Sequence, residues 1–102
     1  MAKSYNQINA TGSGGSGGSV SAYSQTFNAT SDWSGPTGGF YTITIVETTH
    51  DKDVNPTIQV FELVGSDYEE VMVDIIVNSS GDVTLRVTEN NDARFAGKVL
   101  IL

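Results

Sequence analysis

The chain has 102 residues, enough for one domain, with a net charge of −7 and no cysteine. The missing cysteines exclude disulfides and thiolate metal sites, and the acid excess sets the chain against phosphate backbones, so no nucleic-acid partner is expected. No apolar run approaches the length of a membrane span or a signal-peptide core, so no membrane partner is expected, and synthesis and assembly in a cytoplasm are the expectation.

Composition divides the chain into an extended Gly/Ser-rich arm, residues 1–21, and a body, residues 22–102. Lys3 is the one charged side chain before Asp32, and all twelve acidic residues lie from Asp32 onward. The arm therefore carries about +1 and the body about −8. Within the arm, Tyr5 and Ile8 are the anchors and are read as partner-docking residues. TGSGGSGGS, Thr11 to Ser19, has the composition of a flexible linker, natural or engineered. It cannot bury enough surface to fold alone, but a glycine-rich backbone can lie close against another chain.

The first strand of the body is expected at Val20 to Asn28, with Phe27 inward. Asp32 to Gly39, DWSGPTGG, reads as a loop, because Gly35-Pro36 and Gly38-Gly39 are turn signals. It holds Trp33, the single tryptophan. That residue is either a possible ligand contact, stacking on a sugar, or a lid folded back on the core. Phe40 to Glu47 is the clearest strand, with Tyr41, Ile43 and Ile45 on one face. The polar loop after it holds His50, Asp51 and Asp53. The EF-hand spacing is absent and no serine stands in a nucleophile context, so the cluster is expected to be a solvated loop. No catalytic residue, no metal site and no cofactor are assigned.

Thr57 to Val64 is the next strand, and Gly65-Ser66-Asp67 turns it into a hairpin with Tyr68 to Asn78. Asp82 to Thr88 alternates cleanly. Phe95 to Leu102 is apolar on both faces and wants cover on both. Asn-x-Ser/Thr sequons at Asn9, Asn28 and Asn78 read as coincidence in a Ser/Thr-rich chain.

About six short strands at regular spacing predict an all-β fold, a small antiparallel β-sandwich or barrel. The expected core is Tyr41, Ile43, Ile45, Ile58, Val60, Val71, Val73, Ile75, Val77, Val83, Leu85, Val87, Val99 and Ile101. A body this small buries only roughly 60% of its unfolded surface. The apolar residues left over, Phe61, Leu63, Ile76, Leu100 and Leu102, are therefore read as surface for a partner, with Phe61, Leu63, Leu100 and Leu102 as the subunit interface of a homo-oligomer.

Five short stretches carry a family likeness. They are Thr49-His50, Asn55-Pro56-Thr57-Ile58-Gln59-Val60, Glu69-Glu70-Val71, Ser80-Gly81-Asp82-Val83 and Phe95-Ala96-Gly97-Lys98-Val99. Together they resemble a small C-terminal β domain of tailed-bacteriophage virion proteins, of the head-fibre, decoration and tail-fibre type. The likeness spans about 60 to 70 residues, and its motifs are structural rather than catalytic. The chain departs from the pattern after His50, where Asp51 and Asp53 replace the usual glycine. The resemblance implies a trimeric or otherwise repeated virion component. The expectation is a non-enzymatic capsid decoration or head-fibre protein, docked by its arm on the major capsid protein or another virion protein. The alternative is a tail-fibre or receptor- and carbohydrate-binding module using Trp33, Tyr41 or Tyr68.

Overall fold

The computed structural model describes residues 22–102. Eight strands lie within them: β1 (Tyr23–Phe27), β2 (Ser34–Thr37), β3 (Phe40–Ile45), β4 (Ile58–Val64), β5 (Asp67–Val71), β6 (Asp74–Val77), β7 (Val83–Thr88) and β8 (Gly97–Ile101). One helical turn, α1 (Glu47–His50), follows β3. The strands form two four-stranded sheets, ordered β1-β8-β4-β5 and β2-β3-β7-β6, with every neighbouring pair antiparallel. The two sheets pack as a sandwich, which decides between the two expected architectures. The chain passes from one sheet to the other after β1, β3, β5 and β7.

Alternation along each strand sends one row of side chains inward. Phe27, Val60, Val99 and Ile101 of the first sheet meet Ile43, Ile45, Val83, Leu85 and Val87 of the second in one buried cluster. Tyr23, Tyr41, Ile58, Val71, Val73 and Phe95 pack against its margin. At the β4–β8 pairing the two backbones come so close that a Cβ on Gly97 would overlap the Phe61 carbonyl. Glycine is required there because it has no side chain to clash.

Two expectations about strands are corrected. The segment Ser34–Thr37, expected to be loop, is a short edge strand on β3 with a register shift. Edge strands tolerate Pro36, which has no N–H to donate. The expected single strand Tyr68 to Asn78 is two strands in different sheets, joined through Met72 and Val73. Eleven extended residues would overrun β4, which has only seven, so the chain folds over the margin of the sandwich instead. The inward parity of Val71, Val73, Ile75 and Val77 survives that crossing. Ile75 and Val77, expected in the core, are nevertheless 38% and 36% exposed. Their strand is the last in its sheet, and nothing among the described residues covers its outer side.

Candidate interaction surface

His50 is the buried polar side chain of the sandwich. The expectation of a solvated loop is therefore corrected for His50, while Asp51 and Asp53 are exposed as expected. The Lys52 N–H donates to His50 Nδ1 at 3.0 Å. With Nδ1 accepting, the ring proton lies on Nε2, which donates to the Gly81 carbonyl at 2.7 Å. Both ring nitrogens are thus engaged by main chain, which leaves no lone pair for proton abstraction. The neighbouring Asp51 and Asp53 have φ of 58° and 64°, the left-handed region where glycine would sit most easily. They shape the turn. Among the described residues, no group of three or more His, Asp or Glu side chains is placed to hold a metal ion.

Asp82 completes this clasp. Its Oδ1 accepts from the Glu47 N–H at 2.9 Å and its Oδ2 from Asn78 Nδ2 at 3.1 Å. These bonds, the Glu47 one first, hold its carboxyl below the usual carboxylate range. Asn78 Oδ1 in turn accepts from the N–H groups of Ser80 and Asp82. The same five-residue device recurs at Asn28, whose Oδ1 accepts from Thr30 and Asp32. Two of the sequons are thus asparagine-braced turns, in which the side-chain amide does the work of a backbone partner.

The Asn28 turn aims Trp33 inward. Trp33 is 6% exposed. It makes edge contacts with Phe27 and Phe95, ring centroids 5.6 Å apart in both cases. Its Nε1–H donates to the Phe95 carbonyl at 3.0 Å. The reading of Trp33 as a ligand contact is corrected on this geometry: the ring is buried against Phe27 and Phe95, and its N–H is taken by a main-chain carbonyl. Tyr41 is half-buried beneath the Arg94 guanidinium, 4.2 Å from its ring centroid. Arg94 is itself held by both oxygens of Asp92, whose carboxyl it depresses.

The remaining candidates come together on one surface. In the β4–β8 register Gln59 lies opposite Leu100 and Phe61 opposite Lys98, and in the β4–β5 register Leu63 lies opposite Tyr68. Since Val60, Val99 and Ile101 point inward, Phe61, Leu63 and Leu100 point outward, with Leu102 continuing the row at the end of β8. Leu63, Tyr68 and Leu102 are exposed, and Phe61 and Leu100 are half-buried. The Lys98 ammonium sits 4.4 Å from the Tyr68 ring centroid and 5.4 Å from that of Phe61. Its charge is therefore held over the two aromatic rings of the row. Gln59, Glu70, Ser24 and Thr26 surround the row with polar groups. An apolar strip with a polar rim is the composition of a protein–protein contact. Sequence reasoning missed Tyr68 as a member, because facing Leu63 across a hairpin is a property of register. Tyr5 and Ile8 lie outside the described residues.

No family model, curated protein or solved structure matches the chain.

Proposed function

We propose that the chain is a non-catalytic structural component of a tailed-bacteriophage particle, of the capsid-decoration or head-fibre type, assembled in the host cytoplasm and resident in the virion. The outer face of the β1-β8-β4-β5 sheet is its subunit contact, and a homotrimer is the favoured assembly. The arm, through Tyr5 and Ile8, docks on the major capsid protein or another virion protein, and repetition over a symmetric shell adds avidity to a weak single contact.

The observation that carries this reading is the outward row Leu102, Leu100, Phe61, Leu63 and Tyr68 on one sheet face. The placement of the resemblance motifs supports it. His50 and Gly81 meet in the clasp, Phe95 joins the aromatic cluster, and Gly97 permits the β4–β8 approach. Each of these positions is used for folding, as a structural module requires. The carbohydrate-binding alternative loses Trp33 to the core.

Quantitative mass spectrometry of gradient-purified particles tests the proposal. Copies in a fixed ratio to the major capsid protein are expected. Absence from washed particles would overturn the virion reading, and a handful of copies per particle would move the protein to the tail.

A further inference from the structure

Four strands end a sheet: β1 and β5 in one, β2 and β6 in the other. An edge strand offers unpaired backbone groups, and proteins block such edges with charge, proline or irregularity. Two of the four are blunted here. β5 carries Asp67, Glu69 and Glu70. β2 contains Pro36 and a register shift. β1 carries none of these devices, but its middle, Ser24 to Thr26, is polar and has no apolar row to bury. β6 is different. After Asp74 it reads Ile75-Ile76-Val77, apolar on both faces, with each residue more than a third exposed. Asp74 itself is engaged by Arg86 at 3.1 Å. Met72, beside the strand, is 99% exposed.

We propose that β6 pairs antiparallel with β6 of a second copy of this chain, about a twofold axis through Ile76. The strand is self-complementary in that register. Ile76 lies opposite Ile76 of the second copy on the outer side. Ile75 lies opposite Val77 on the inner side, where both are left uncovered within one body. Asp74 falls opposite Asn78, whose side chain is neutral, so no carboxylate meets another across the ladder. The same operation on β5, about its central residue, would set Glu69 against itself. The product is one continuous eight-stranded sheet, with the twofold closing the contact. A four-residue ladder is small, so this contact is weak in isolation. Each body carries about −8, so pairing tightens as salt rises from roughly 0.05 M to roughly 0.5 M. This site is separate from the outer face of the other sheet.

The absence of cysteine makes the test direct. Ile76→Cys in the full chain places one thiol on the proposed axis, within the reach of a disulfide across an antiparallel pair. Under a mild oxidant it is expected to form a covalent dimer at least about tenfold faster than Ser24→Cys on the β1 edge. Cross-linking should accelerate with salt. Ile76→Lys, at a solvent-facing position, is expected to keep the fold by circular dichroism while halving the mass seen by sedimentation at high concentration. Cross-linking no faster than the control, or an unchanged mass for folded Ile76→Lys, would overturn the pairing. So would a cross-link that forms only once residues 1–10 are deleted, which would assign the edge to the arm. A failed sheet-face contact leaves the Ile76→Cys outcome untouched, so the two readings fail separately.

Discussion

Replacing Trp33 by alanine separates a core residue from a ligand contact. The ring is 6% exposed and packs edge-on against Phe27 and Phe95, which also touch each other. A tryptophan buries about 150–250 Å², which at about 25 cal/mol per Å² is worth roughly 4–6 kcal/mol. Truncations of buried aromatics cost about 3–5 kcal/mol. A body of about 80 residues has a total stability of roughly 4–12 kcal/mol. Trp33→Ala is therefore expected to remove about a quarter or more of that stability, and in the lower part of the range to leave the chain largely unfolded at 25 °C. Urea titration followed by far-ultraviolet circular dichroism measures it, since the substitution removes the one fluorescent indole. Trp33→Phe keeps a ring but leaves the Phe95 carbonyl without its donor, so a smaller loss of about 1–3 kcal/mol is expected. The wild-type emission should be blue-shifted and recover the solvent value only across the same transition. A Trp33→Ala chain with the wild-type urea midpoint would refute the packing argument, and one that also lost glycan binding would restore the ligand reading.

Three further outcomes are expected. His50→Ala leaves the Gly81 carbonyl and the Lys52 N–H without their ring partner in a buried place and should cost about 2–4 kcal/mol in a urea melt. Gly97→Ala pushes a methyl into the Phe61 carbonyl and should cost about 3 kcal/mol or more, read as a loss of soluble folded protein. Asp82 has a lowered folded-state pKa, through the Glu47 N–H first and the Asn78 amide second. Its contribution is therefore present above the ordinary carboxylate value of 3.8 and is lost as pH falls through the folded value. Asp82→Asn should be less stable than wild type near neutrality and converge on it in acid, as followed by thermal melts across that range.

Strand identity was legible wherever alternation was regular. Ile43, Ile45, Val83, Leu85, Val99 and Ile101 could be assigned to the core because a period of two on a pleated backbone has one inward row. The break at Met72 was not legible. Val71, Val73, Ile75 and Val77 keep the same parity whether the chain runs straight or folds over a margin. Trp33 and Phe95 sit outside any periodic run, and meet only because the crossings after β1 and β7 end in the same place. A signal did exist for the turn that aims Trp33: Asn28 and Asp32 have the spacing of Asn78 and Asp82. The candidate surface was half legible. Phe61, Leu63, Leu100 and Leu102 stood out as apolar residues on the wrong parity, whereas Tyr68 and Lys98 joined them through register alone.

Sedimentation equilibrium of the full chain, compared with Leu63→Lys/Leu100→Lys, tests the proposed assembly face most directly. Both positions point outward, so the fold should persist while two ammonium groups enter the apolar row. A wild-type mass in multiples of three chains of 10.8 kDa, falling threefold in the double variant, is the result expected. A wild-type mass of one chain at every concentration, or a mass unmoved by the two lysines, would contradict the assignment of that face as the subunit contact.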